Sequence, residues 1–245
     1  MDVITQAAIG AAAGQSPAAA SRLRVAALAG ALGGFLPDSD VLIRSSSDPL
    51  LFLEYHRHFT HALAFIPIGG AITAGLLQLF SRGRLGFRST YLPATLGWAT
   101  HGLLDSCTSY GTSLLLPFSN TRVAWHSISI IDPLFTLPLL AGVFLALRRS
   151  SPLPARLGLA TALLYLAFSW SQLSRAETIH EEIVAARGHE ALRGQVKPSF
   201  GTNILFRAFY EHDGRYYETI YIAQANWHDS IDSIQLSMTV LTVFN

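Results

Sequence analysis

Through its first 170 residues the chain reads as apolar runs separated by short polar clusters. Asp2 to Gly14 is apolar and rich in small residues, and Gly10-x-x-x-Gly14 predicts a helix that a neighbour can approach closely. Pro17 interrupts the run, Arg22 and Arg24 follow, and a second run covers Val25 to Leu36 with Gly30 and Gly34. That run is about 12 residues long, short of the roughly 20 that cross a bilayer, so the helix is expected to begin nearer Pro17 or to be sheltered by others. Pro37-Asp38-Ser39-Asp40 ends it, and a mixed connection over 41–55 follows. A span is predicted from His61 to Phe80, then a loop with Arg82, Arg84 and Arg88. Further spans are predicted over Tyr91 to Thr108, from Asp132-Pro133 to Leu147, and over Leu157 to Trp170. Residues 109–130 read as a loop.

After Arg175 the spacing of Glu177, Glu181, Glu182 and Arg187 predicts an amphipathic helix. From Val196 the texture turns β-rich, and Asp213-Gly214 between two such stretches is a hairpin signal. The pattern is still running at Asn245. The fold class expected is mainly α, a polytopic transmembrane helical bundle with a small C-terminal β-rich appendage. Its divisions are a membrane domain over 1–175, a connecting helix over 176–195 and an extramembrane appendage over 196–245.

Composition supports a membrane setting. Half the residues are hydrophobic (50%) and only 13% are charged, against about 25% in soluble domains. The net charge of +1, with no basic stripe, argues against a nucleic-acid partner. The single cysteine, Cys107, excludes an intramolecular disulfide and a cysteine-based zinc site; packing between helices is its expected role. No basic leader precedes a cleavable small-residue site, so the first span is expected to target the chain. The arginine-bearing loops 82–88 and 148–156 lie two spans apart and therefore on one side, which the positive-inside rule makes cytoplasmic. His56 to His61, His101 with Asp105, Trp125 to Asp132 and the C-terminus are then all expected at the outer face of a bacterial inner membrane.

That clustering gives the polar residues a shared purpose. In His56-Arg57-His58-Phe59-Thr60-His61, imidazoles offer neutral metal ligands where placement against lipid is costly. His56 and His61 are too far apart for one helix face, so Thr60 is expected to cap the span with His61 in its first turn and His56 in the loop before it; His58 with His61 is the helical alternative. His101 and Asp105 share one helix face and offer a nitrogen and an oxygen. Asp38 and Asp40 can bridge cations. Arg57 can stabilise negative charge on a phosphoryl or acyl centre. Asp132 is an additional ligand or base. Blander readings stand beside these: a basic interfacial anchor, an internal His101–Asp105 hydrogen bond, a helix-ending turn at Asp38 and Asp40, a helix start at Asp132, and Arg57 snorkelling to headgroups. His180, His189, His212 and His228 are assigned no role.

The series Pro37–Asp40, His56–His61, His101–Asp105 and Ile131–Pro133 resembles the YdjM-type inner-membrane metal-dependent hydrolases of bacteria, over about residues 1–175. The Thr5-Gln6 opening looks like one branch of that family. The family is similar in motif content to zinc-dependent phospholipases C. The resemblance therefore implies metal-dependent hydrolysis of a phosphoester or lipid-linked substrate, with membrane lipid as the partner. It implies a divalent cofactor, zinc first with manganese or iron as alternatives, on Asp38, Asp40, His56, His61, His101 and Asp105. Two departures stand out: relatives often carry histidine where Gln6 stands, and His58 replaces a small residue. Whether Gln6, His58 and His126 join the site is open at this level. Two rivals are an ion- or proton-coupled transporter, for which no internal repeat is found, and a metal-stabilised scaffold closed by four ligands.

Overall fold

The computed structural model describes residues 1–223. Residues 224–245, which include His228 and the end of the expected appendage, lie outside the described residues. The helices are α1 (Val3–Gln15), α2 (Leu23–Phe35), α3 (Leu51–Tyr55), α4 (Ile66–Phe80), α5 (Phe87–Ser106), α6 (Pro133–Arg149) and α7 (Leu153–Ala186), followed by strands β1 (Arg193–Pro198), β2 (Leu205–His212) and β3 (Arg215–Ile222). The chain is a mainly α membrane protein with a small C-terminal antiparallel sheet, as its pattern predicts. Among the described residues, three helical stretches are long and apolar enough to cross a bilayer: Ala20–Leu42, Leu63–Phe80 and Leu153–Ala186. The run that looked short in the sequence belongs to the first of these. A tight turn at Ala20–Arg22 precedes α2 and 3-10 turns over Leu36–Leu42 extend it, giving 23 residues in all.

Contacts divide the chain into two compact units, the first comprising Met1–Trp125 and Pro133–Leu164. There, small residues let helices meet backbone to backbone. A Cβ on Gly30 would stand 2.2 Å from the Gly10 carbonyl oxygen, and one on Gly97 would stand 2.2 Å from the Gly30 oxygen. α1, α2 and α5 therefore touch along one glycine seam, the kind of close approach that replaces the hydrophobic effect as glue in lipid. α4 closes on α5 where Trp98 covers Gly69 and donates to the Thr73 hydroxyl at 2.8 Å, so the indole N–H is satisfied internally. The Asp2 carboxylate caps α1 by accepting from the Ile4 and Thr5 amides.

Among the described residues, the second unit comprises His126–Asp132 and residues 165–223. Leu173, Ala176, Ile179 and Ile183, at helical spacing on α7, pack against Val196, Phe206, Ala208 and Tyr221, which alternate along the strands. The order is β1-β2-β3, antiparallel throughout. β2 and β3 form the expected hairpin, with Asp213 at φ 49° and Gly214 at φ 69°, the double left-handed turn that two-residue loops favour. Two features differ from the sequence reading. The last apolar run and the amphipathic helix are one helix of 34 residues. The connecting stretch ends in β1, whose Gly194 and Pro198 hide it from strand propensity while pairing with β2 defines it.

Candidate metal centre

Asp38 and Asp40 sit in the 3-10 extension of α2, His56 to His61 in the irregular chain between α3 and α4, and His101 and Asp105 on the last turns of α5. The His56–His61 segment is wound around one carboxylate. Asp40 Oδ2 accepts from the Arg57 amide at 2.9 Å and from the Thr60 hydroxyl at 2.9 Å, while Oδ1 faces His56 Nδ1 at 2.9 Å. Arg57 is left-handed, at φ 61°, a conformation costly for a residue with a side chain. Its amide bond to Asp40, together with the bond its carbonyl accepts from the Ser113 amide at 3.0 Å, holds it there. Thr60 is not the helix cap the sequence suggests: its hydroxyl serves Asp40, and α4 begins after Phe65 with no side-chain cap.

This winding aims His61 Nε2 at His101 Nε2, 2.9 Å away. Asp38 Oδ1 lies 3.5 Å from the first and 3.4 Å from the second; Asp105 Oδ2 lies 3.4 Å and 3.8 Å from them. An ion with tetrahedral ligands at about 2.0–2.1 Å separates its donor atoms by about 3.3 Å, so these four enclose a position of that size. Proton bookkeeping points the same way. His101 Nδ1 stands 2.6 Å from the Gly34 carbonyl, which only accepts, so Nδ1 carries the proton. Thr60 gives its one hydroxyl proton to Asp40, so His61 Nδ1, 3.0 Å from that oxygen and 3.3 Å from Asp40 Oδ2, is also a donor. In their neutral forms both rings then present Nε2 lone pairs inward, beside two carboxylate oxygens. Four potential ligand atoms converge, with each imidazole Nδ1 engaged from behind as in the second shell of metal-binding histidines. The donor set fits a divalent ion.

Asp105 is braced on its outer side. Gln6 Nε2 donates to Oδ1 at 2.8 Å, the Met1 amine contacts the same oxygen, and Arg57 Nε stands 3.0 Å from Oδ2. Oδ2 is buried and accepts no hydrogen bond among the described residues. The Arg57 guanidinium is itself buried, donates to Thr108 at 2.8 Å and lies under the Tyr110 ring at 5.3 Å. Asp38 is the accessible member, 21% exposed where the other three side chains are fully buried. A second group, Asp38, Asp40 and His56, shares that carboxylate with the first.

Of the residues singled out from sequence, Asp38, Asp40, His56, His61, His101 and Asp105 all fall in these two groups, and Arg57 abuts them. Gln6 touches Asp105 through its amide nitrogen and is no ligand in this arrangement. His58 packs edge-on against Tyr55 and Phe59. Asp132 and His126 belong to the second unit, where the Tyr165 hydroxyl donates to Asp132 at 2.7 Å and Gln195 meets the His126 ring. Sequence reasoning missed the Gly34 carbonyl, Thr108 and Tyr110. A carbonyl leaves no mark in sequence, Thr108 closed a predicted span, and Tyr110 lay in a stretch read as loop.

Comparison with known proteins agrees with this picture. The chain is 29% identical over 172 residues to the Bacillus subtilis (strain 168) protein named "Uncharacterized protein YfhP", a match covering 69% of this chain and 51% of that protein. It thus spans about half the length of the curated relative it matches. No solved structure matches. The profile described as YdjM inner membrane protein matches residues 1–176, and the chain belongs to that family.

Proposed function

We propose that this protein is a metal-dependent hydrolase of the inner membrane that holds a divalent ion, zinc first with manganese or iron as alternatives, between Asp38, His61, His101 and Asp105. One observation carries the reading: four lone-pair donors converge at 2.9–3.8 Å, with both imidazoles locked from behind. When bound, such an ion supplies Lewis acidity toward a phosphoryl or acyl oxygen and acidifies water. The remaining work falls to the chain. His61 and His101 keep their protons on Nδ1 and their Nε2 atoms inward. Arg57 orients Asp105 and fixes a positive charge beside the site, where negative charge grows as a phosphoryl or acyl centre reacts. Asp38, the exposed donor, is placed to take a proton from water at the opening. Asp40 and His56 lie beside Asp38 and offer with it a place for a second ion.

Phosphoesters, lipid headgroup phosphodiesters first, are the substrate class that suits a site beside the ends of two membrane-crossing stretches, Leu42 and Leu63. We orient that end toward the outer face from the arginines of loops 82–88 and 148–156. A second reading is favoured by the donor count: four protein ligands are what a closed structural ion takes, and here they would fasten α2, the His56–His61 segment and α5.

The test is metal content of the purified chain by elemental mass spectrometry, beside Asp105→Ala and His61→Ala variants. Hydrolysis of a soluble phosphodiester and of phosphatidylglycerol vesicles follows. About one or two ions per chain, lost in both variants together with hydrolysis, supports the enzyme. Ion loss accompanied by lowered thermal stability, with no hydrolysis in any form, selects the scaffold. Folded protein without metal overturns both.

A further inference from the structure

The two segments that cover the site carry large apolar side chains outward, although neither crosses the membrane. They are residues 43–62 and 107–125, and they are stitched into one layer. The Ser113 amide donates to the Arg57 carbonyl at 3.0 Å, the Leu63 amide to the Leu114 carbonyl at 3.0 Å, and Arg122 to the His56 carbonyl. Thr112 and Val123 pair with each other, and the Trp125 amide returns the chain to the Ser106 carbonyl at 2.7 Å, at the end of α5. From this layer Leu50, Leu53, Phe59, Tyr110, Leu115 and Phe118 are exposed, Phe118 to 90%. Isolated apolar residues on a surface are ordinary, but six on two hydrogen-bonded connections mark a face meant for an apolar neighbour.

The fold says which neighbour. One apolar stretch ends at Leu42 and the next begins at Leu63, so the layer leaves and re-enters the bilayer boundary within 20 residues. Leu42 and Leu63, at the ends of those stretches, are themselves exposed apolar residues. Polar groups suited to headgroup depth lie among the layer's apolar side chains: Arg122 is exposed, and Arg44, Ser45, Asp48, Pro49 and Phe52 line a cleft of about 290 Å³ that sets an arginine, an aspartate and a hydroxyl beside an aromatic ring. A surface with large apolar side chains outward and arginines able to meet headgroup phosphates among its polar groups suits an interfacial segment.

We propose that residues 43–62 and 107–125 form a lip lying in the headgroup layer, with Leu50, Leu53, Leu115 and Phe118 in the acyl region of the same leaflet. A lipid then reaches the His61–His101 cluster sideways from the bilayer. The inference rests on the hydrolase reading only for what happens to that lipid; the membrane contact is tested by itself.

The experiment places a bimane fluorophore at position 118 through Phe118→Cys, in a Cys107→Ala background, with the chain in phosphatidylglycerol-containing nanodiscs. Nitroxide-labelled lipid is the membrane quencher and iodide the aqueous one. A lip in the interface gives about twofold or greater quenching by the lipid nitroxide and little by iodide. Quenching by iodide alone overturns the proposal in favour of a water-exposed loop; quenching by neither overturns it in favour of a protein cover. A Leu50→Cys probe reads the other half of the lip and keeps the test decisive where the first variant fails to fold. No hydrolysis by the unsubstituted protein, with the nitroxide result intact, refutes the enzyme and leaves the lip standing.

Discussion

His61 and His101 turn their Nε2 atoms toward each other across 2.9 Å, because each ring is engaged from behind at Nδ1, His101 by the Gly34 carbonyl and His61 by the Thr60–Asp40 pair. A proton or a metal ion can sit between them, and the two compete. Zinc binding is therefore expected to release protons and to weaken as pH falls, because protonation of the rings competes with the ion. Calorimetry in two buffers of different ionisation enthalpy measures the release. Equal heats in the two buffers would contradict it.

Asp40 holds the ligand segment in shape more than it offers itself as a ligand. Asp40→Asn keeps the volume but removes the charge that faces His56, the Arg57 amide and the His61 ring. Zinc affinity should fall about 10- to 100-fold, the usual cost of losing a second-shell partner, while Asp105→Asn removes binding outright. Chelator competition gives both numbers.

Arg57→Gly separates backbone from side chain. Glycine relieves the left-handed strain, a gain of about 1 kcal/mol, but leaves buried Asp105 without its guanidinium, a loss of about 3–5 kcal/mol. Net destabilisation is expected, partly reversed by zinc, since the ion supplies the missing positive charge. Thermal unfolding with and without zinc checks the sign.

The glycine seam predicts a contrast between two mild substitutions. Gly30→Ala drives a methyl group against the Gly10 carbonyl and should cost about 1–3 kcal/mol. Gly75→Ala, on α4 with nothing within 4 Å of its added carbon, should be neutral or slightly stabilising. Melting temperatures in one detergent compare them directly.

In the second unit, burial and the nearby Lys197 hold the His126 imidazole below its ordinary pKa. The folded state refuses a proton that the unfolded chain accepts, so His126 contributes against stability as pH falls through about 6.5 and not above it. A proton-NMR titration of the ring should give a midpoint under that value, and Lys197→Ala should raise it.

How far the sequence could be read follows from what each feature depends on. The helices were legible because runs of apolar residues flanked by Arg82, Arg84, Arg148 and Arg149 report lipid and its boundary directly. The ligands were legible because His101 and Asp105 recur at helical spacing inside an apolar run, and the Asp213-Gly214 hairpin because its turn admits few residues. What stayed hidden depends on long-range contact. Thr60 was read as a cap for its own helix, whereas its hydroxyl goes to Asp40, 20 residues back. β1 exists through its pairing with β2, against the preferences of Gly194 and Pro198.

The glycine seam ends at Gly34, the residue whose carbonyl orients His101. A contact between main chains has no rotamers to populate and no methylenes to soften, so the ring's aim is inherited from the crossing of α1, α2 and α5 and not from side-chain packing. Warming, or exchanging one lipid for another, changes the surroundings of those helices more than it changes their crossing. The affinity of the site for its ion should accordingly stay nearly constant across bilayers of different thickness and fluidity, even where access to it varies.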